Sequence, residues 1–332
     1  MPENNENVTI KYYSEVKSTK VHWLWNPYIP YGKITLIQGD PGEGKSSFIL
    51  KVAAELSVGG FIPDGTISRR PMNIIYQCME DSAADTIMPR LENYGADLSR
   101  MAFIMKENDM YSDFDTDSLL YAIKESSARL LIIDPIQSFL GSDTDMNNAR
   151  NVRSYLNKLA IVAEKTKCAV VLIGHLNKNE GGKSIYRGLG SIDFAAISRS
   201  VLQIERLGED SNVRVIRHIK SSLSQEGGAF GFEITENNNI NWIGTIDVEE
   251  EKGSIIQQSY ISYGEKYKSA ILLLKKLLSE SDCSYKKIVK SVKGLISLRT
   301  LKTAKKDLGI ISIKKADGWY WHLPEENELS DE

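Results

Sequence analysis

The residues best suited to chemistry begin at Gly39, where Gly39-Asp40-Pro41-Gly42-Glu43-Gly44-Lys45-Ser46 reads G-x-x-x-x-G-K-S, with Ser47 directly after it. Such a loop wraps backbone N–H groups around phosphate oxygens, and it needs glycines where side chains would block the required φ/ψ values. The lysine of the pattern reaches the β- and γ-phosphates, and the hydroxyl after it is a magnesium ligand. Lys45 and Ser46 take those two roles. An amphipathic segment follows and turns its positive end toward the anion. A nucleoside triphosphate with Mg²⁺ is the ligand expected here.

Three further residues close apolar runs. Leu130-Leu131-Ile132-Ile133 ends in Asp134, which can hold the Mg²⁺ hydration shell from the carboxyl edge of a buried strand. Pro135 follows it, so a water-activating base must come from elsewhere. The apolar run before Glu80-Asp81 supplies one, with Glu80 as the base and Asp81 as the alternative. His175 closes Ala169-Val170-Val171-Leu172-Ile173-Gly174 and stands where a sensor of hydrolysis would sit. His22, His218 and His322 have no comparable setting.

All of these residues need strands to deliver them to one edge. Strand-like runs occur at residues 33–38, 73–79, 102–105, 130–133 and 169–173, alternating with helical spacing at 46–57, 86–94, 118–127 and 150–165. Apolar strands alternating with helices predict a parallel sheet covered on both faces. Beyond residue 200 the helices stop. Residues 200–204, 213–219, 229–234 and 240–242 read as antiparallel strands.

The chain of 332 residues is long enough for one large α/β domain and a small appendage. With 42% apolar and 26% charged residues it is not a disordered chain. No apolar run reaches the ~18 residues of a membrane span, and the N-terminus lacks signal-peptide order. Of the three cysteines, Cys78 and Cys168 lie in apolar runs and read as core residues. A cytoplasmic location without membrane contact is expected. The net charge of −3 conceals an asymmetry: residues 264–323 hold fourteen Lys and Arg against five Asp and Glu, and the last nine residues hold five acids and no base. A basic unit therefore follows a mildly acidic body. The divisions expected are an arm at 1–20, a core at 21–246, a linker at 247–264, the basic unit at 265–323 and an acidic tail at 324–332.

From about residue 20 to 245 the order of motifs carries a resemblance. It runs through Trp23-Leu24-Trp25-Asn26-Pro27-Tyr28-Ile29-Pro30, the glycine loop, Cys78-Met79-Glu80-Asp81, Asp134-Pro135, His175-Leu176-Asn177-Lys178, Arg187-Gly188-Leu189-Gly190-Ser191 and His218-Ile219-Lys220. The chain resembles the RecA-like AAA-family ATPases that include RepA-type plasmid helicases and are related to DnaB-type replicative helicases. The resemblance implies a RecA-like P-loop NTPase core of α/β class with a mostly parallel central sheet. It also implies six-membered homo-oligomeric rings with ATP at subunit interfaces and single-stranded DNA in a central channel.

Carried over by position, the magnesium and base carboxylates fall on Asp134 and Glu80, and the histidine sensor on His175. An arginine finger is expected after residues 188–191, where Arg199 and Arg206 both stand. Arg199 is favoured because it precedes a strand and can project from its start. Residues 141–151 and 177–188 would line the channel, the second with Lys178, Lys183, Arg187 and Tyr186. The implied activity is an ATP-dependent DNA motor, a hexameric replicative helicase of a plasmid, phage or integrated element. The alternative is a regulatory or recombination ATPase that assembles on DNA without unwinding it.

In the basic unit, residues 267–278, 285–292 and 297–308 have helical spacing, and Ser297 is suited to cap the last of them. Residues 311–315 and 319–322 then flank a turn at 316–318. Three helices with a terminal hairpin predict a winged helix, a helix-turn-helix variant, with Arg299, Lys302 and Lys306 toward duplex DNA. Arg299-Thr300-Leu301 and Gly318-Trp319-Tyr320-Trp321 are similar to the small C-terminal domain of many mobile-element AAA ATPases.

Overall fold

The computed structural model describes residues 10–63, 70–105, 115–139, 149–175, 191–208, 211–246, 263–278, 281–292, 298–315 and 318–324. A short hairpin, β1 (Trp23–Trp25) with β2 (Ile29–Pro30), precedes β3 (Ile34–Gly39) and α1 (Lys45–Ser57). Then follow β4 (Ile74–Cys78), a π turn at Ala83–Ile87, α2 (Met88–Asn93), β5 (Met101–Ala102), α3 (Thr116–Ser126) and β6 (Leu130–Asp134). Next come α4 (Ala149–Thr166), β7 (Ala169–His175), α5 (Ser191–Ile197), β8 (Ser200–Arg206), β9 (Val213–Ser221), β10 (Ala229–Ile234) and β11 (Ile240–Ile246). Among the described residues, nine strands form one sheet in the order β11-β10-β9-β8-β3-β7-β6-β4-β5. From β8 to β5 neighbouring strands are parallel; β9, β10 and β11 extend the sheet antiparallel.

The strands are apolar on both faces because both are covered. Ile37, Ile74, Ile132, Val171 and Ile173 pack with α1 residues Phe48, Val52 and Leu56 on one side. Leu36, Ile75, Leu131, Ile133 and Val170 pack on the other with Leu119 of α3, Leu156 and Leu159 of α4 and Phe194 of α5. Adjacent strand residues thus enter opposite cores, as the period-two pleat requires. Cys78 and Cys168 are buried free thiols, and burial pushes the Cys168 thiol up to about 12. No helix among the described residues is long and apolar enough to cross a membrane.

Tertiary contacts alter three local expectations. The strand expected over 102–105 shortens to Met101–Ala102, because the side chain of Gln77 occupies the backbone of Ile104 instead: Oε1 accepts from Ile104 N at 2.8 Å and Nε2 donates to Ile104 O at 3.3 Å. The helical region expected from residue 86 starts at Ala83 with the π turn. Helix α5, seven residues long and absent from the sequence reading, is too short to be stable alone. Lys220 of β9 supplies what is missing. Its Nζ donates to the carbonyls of Ala195 at 2.6 Å, Ala196 at 3.3 Å and Ser198 at 2.9 Å, at the end of that helix.

The basic unit contains α6 (Tyr263–Leu278), β12 (Cys283–Ser284), α7 (Tyr285–Val292), α8 (Leu298–Asp307), β13 (Ile311–Lys315) and β14 (Gly318–His322). Its sheet has the order β12-β14-β13. Leu274, Ile288, Leu301, Ala304 and Trp321 form its own core. The expected capping residue Ser297 and the turn residues 316–317 lie outside the described residues, as do nearly all of the linker and the acidic tail.

His218 is placed without ambiguity. Ser200 Oγ donates to Tyr28 O at 2.6 Å, so His218 Nε2, 3.0 Å away, donates to Ser200 Oγ; Nδ1 accepts from Gly227 N at 2.9 Å. Burial lowers its pKa from the ordinary histidine value, and the neutral ring satisfies both contacts. The unfolded chain therefore takes up this proton first. The contribution is complete above the ordinary histidine range, about pH 6.5, and stability falls as pH drops below it. Urea midpoints measured from pH 8 to pH 5 should decline for the parent chain and decline less steeply for His218→Gln.

Candidate functional site

The glycine loop leaves β3 where the backbone has no room for a side chain. A Cβ on Gly39 would meet Ile204 O of β8 at 2.3 Å, and one on Gly44 would meet Ile234 Cδ1 of β10 at 2.7 Å. Gly42 and Gly44 have φ of +79° and +83°, which side-chain-bearing residues rarely adopt. Glu43, inside the loop, is flanked by Arg206 of β8 at 3.9 Å and Arg214 of β9 at 3.6 Å, the latter 5% exposed. The loop thus rests on the antiparallel side of the sheet.

Lys45 begins α1 and is buried. Its Nζ donates to Gly39 O at 2.8 Å and Asp40 O at 2.7 Å, so the ammonium is folded beneath the loop. Burial lowers its pKa, against the attraction of Asp134, Asp40, Glu43 and Glu80. Asp134, at the end of β6, is 4% exposed. Tyr76 OH donates to its Oδ2 at 2.7 Å, and the Ser46 hydroxyl donates to the same carboxylate. Burial raises the Asp134 pKa and these two donors oppose the rise. Ser47 hydrogen-bonds Tyr94 through its side chain.

Glu80 is exposed beyond β4, with Oε1 3.5 Å from Ser138 Oγ. Its alternative, Asp81, is held by Arg90 at 3.0 Å and so is tied to α2. His175 ends β7 half-buried; burial lowers its pKa, Lys45 lowers it further, and Glu80 and Asp134 oppose them. Its Nδ1 is buried with no hydrogen-bond partner among the described residues. Lys45, Ser46, Glu80, Asp134 and His175 therefore meet at the carboxyl ends of neighbouring strands β3, β7, β6 and β4. Gly-lined backbone and a buried ammonium suit a polyphosphate. The Ser46 and Asp134 oxygens suit a Mg²⁺ ion, which is commonly held by one or two carboxylates and the substrate's own phosphates.

The two arginine candidates lie at opposite ends of β8. Arg206 faces the loop through Glu43. Arg199 is exposed before the strand starts, its backbone bonded to Ile34 O and Ser222 N, on the edge away from this chain's own loop. Lys178, Lys183 and Arg187 lie outside the described residues, as do residues 140–148. On α8, Lys302 and Lys306 are exposed, and the Arg299 side chain lies outside the described residues.

Sequence reading missed Tyr76 and the Arg206–Glu43–Arg214 group. A tyrosine on a largely apolar strand was a usable signal, since a buried hydroxyl needs a partner. Removing that donor leaves a buried carboxylate short of a hydrogen bond. Tyr76→Phe should cost about 1–3 kcal/mol of unfolding free energy at neutral pH. The loss should shrink in acid, where Asp134 is protonated; urea titrations at both pH values measure the difference.

The chain is 28% identical to the DNA repair protein RadA of Mycobacterium tuberculosis over 150 residues, covering 45% of this chain and 28% of the relative. It is also 28% identical to the RadA of Streptococcus pneumoniae over 149 residues, covering 44% and 31%. The RadA of Chlamydia muridarum is 23% identical over 177 residues, covering 52% and 35%. The chain thus matches about a third of the length of these curated relatives. A KaiC-like protein from Pyrococcus horikoshii superposes with a TM-score of 0.46 at 19% identity, covering 68% of this chain and 98% of that one. Residues 6–181 match the AAA domain family, and with a RecA-like P-loop fold whose phosphate loop lies between a central strand and helix of a mostly parallel sheet, the chain belongs to that family.

Proposed function

We propose that this chain is an ATP- and Mg²⁺-dependent motor acting on DNA, a cytoplasmic hexameric replicative helicase of a plasmid, phage or integrated element. The observation that carries the reading is the meeting of Lys45, Ser46, Asp134, Glu80 and His175 at one sheet edge. Bound Mg²⁺ would neutralise charge on the phosphate oxygens. Lys45 exchanges the Gly39 and Asp40 carbonyls for phosphate oxygens, while the backbone of residues 39–47 cradles them. Ser46 and Asp134 hold the ion. Glu80 orients the attacking water and takes its proton, and neutral His175 reads the presence of the γ-phosphate.

Transferring a phosphoryl group also calls for a cation on its outer oxygens, and an arginine supplied in trans typically contributes ~10³-fold or more. Arg199 of a neighbouring subunit is our choice, because Arg206 is drawn to Glu43 within its own chain. Lys178, Lys183 and Arg187 contact single-stranded DNA in the ring channel. The chain divides into the arm, core, linker, basic unit and tail expected from the sequence. The element order of the basic unit and its separate core support a winged helix, with Arg299, Lys302 and Lys306 contacting duplex DNA. The RadA matches support a second reading, a recombination or regulatory ATPase that assembles on DNA without unwinding it.

Strand displacement on a forked duplex separates the two. The parent chain should displace a strand with ATP and Mg²⁺, whereas Lys45→Ala should lose nucleotide binding and Glu80→Gln should bind ATP without turnover. Hydrolysis with no displacement selects the second reading. The finger assignment has its own test by mixing subunits. Arg199→Ala keeps an intact site and Lys45→Ala keeps an intact finger, so each alone should be nearly inactive and the mixture should recover part of the ATPase rate. Full activity of Arg199→Ala alone removes that residue and passes the test to Arg206.

A further inference from the structure

In the basic unit, α8 and the β13–β14 hairpin enclose an open cavity of about 670 Å³, within the range of ligand-sized clefts. Lys302 and, one turn on, Lys305 and Lys306 line it from the helix, and Ser312, Trp319 and Trp321 line it from the sheet. Trp319 and Trp321 share a face of β14 because they are two residues apart. Among the described residues, no carboxylate lines the cavity. The two indoles differ in state. Trp321 is 4% exposed and packs on the ring of Tyr285 at 5.5 Å, whereas Trp319 is 55% exposed. Lys305 is fixed beside Trp321: its Nζ lies 5.0 Å from the Trp321 ring centroid and donates to Ser312 Oγ at 2.6 Å.

An open indole edged by lysines matches one kind of ligand. Ammonium groups take phosphates, and an indole face takes the π-face of a base. In a duplex the base faces are already stacked on one another, and a reading helix meets only their edges. We propose that this groove binds an unpaired DNA segment, with a base stacked on Trp319 and the flanking phosphates on Lys302 and Lys306. The unit then recognises the junction where duplex ends and single strand begins. The inference rests on the reading of this unit as a DNA-binding one, and specifies which DNA it takes.

The test uses the full-length chain without nucleotide and a fluorescein-labelled duplex, either blunt or carrying an unpaired oligothymidine tail. Anisotropy should show tighter binding of the tailed duplex. Trp319→Ala should weaken the tailed duplex roughly tenfold, as expected for loss of one base–aromatic stack, and leave blunt duplex within twofold. Trp319→Phe, which keeps an aromatic face in the hairpin, should retain most of the preference. A photo-crosslink from 5-iododeoxyuridine in the tail should map to the peptide containing Trp319. Equal losses on both duplexes, or parent-like binding of the tailed duplex by Trp319→Ala, overturn the proposal. The double variant Lys302→Ala/Lys306→Ala tells which reading failed. If it weakens both duplexes while Trp319→Ala shows no tail-specific loss, only the groove assignment falls. If it weakens neither, the DNA-binding reading of the unit falls with it.

Discussion

A carboxylate buried at the end of an apolar strand must be paired, and Asp134 is the point at which this chain meets that demand. An unpaired charge in such a place is costly enough that the group would take up a proton and become neutral instead. Ser46 and Tyr76 supply the donors. One arrives from the first turn of α1, the other from β4, so a single carboxylate ties the phosphate loop's helix to two strands. Lys45 is subject to the same constraint with opposite sign. Buried and lowered in pKa, it is stabilised by loop carbonyls in the positions that phosphate oxygens would compete for.

That arrangement needs four neighbouring strands of the sheet. Parallel strands β3, β7, β6 and β4 end at a common edge, and the residues following their last apolar positions are brought together there. Strand β8 and the antiparallel strands beyond it have a separate task. Ile204 crowds Gly39, Ile234 crowds Gly44, and Arg206 and Arg214 flank Glu43, so β8, β9 and β10 form the outer wall of the loop. The same strands shape the far edge as well, where Lys220 completes α5 just before Arg199.

The basic unit stands on a different balance. Its core is small, and its sheet is short enough that polar contacts matter at the rim. Asp282 pairs with both Lys315 and His322, and the hydrogen bonds from these two hold its carboxyl below the usual range. Trp321 is committed to the core while Trp319, two residues away, is left open. Positive charge then gathers on the helix that faces that hairpin.

The amino-acid order alone determined the α/β alternation, the phosphate loop and the strand-end residues Asp134, Glu80 and His175. Each depends on local pattern: glycine spacing, apolar runs and what terminates them. The three helices and hairpin of the basic unit were legible for the same reason, through helical spacing and a turn. Other features were not local. Whether Glu80 or Asp81 faces the site depends on Arg90, which binds Asp81 across a π turn that the sequence does not announce. The strand after α2 is cut short by a side chain from β4, and α5 exists through a lysine of β9. Tyr76 reads as one more strand residue until the register of β4 against β6 brings it to Asp134. Periodicity records which face of an element is buried, but it carries no information on which distant residue meets that face. Those pairings were decided by sheet order and register.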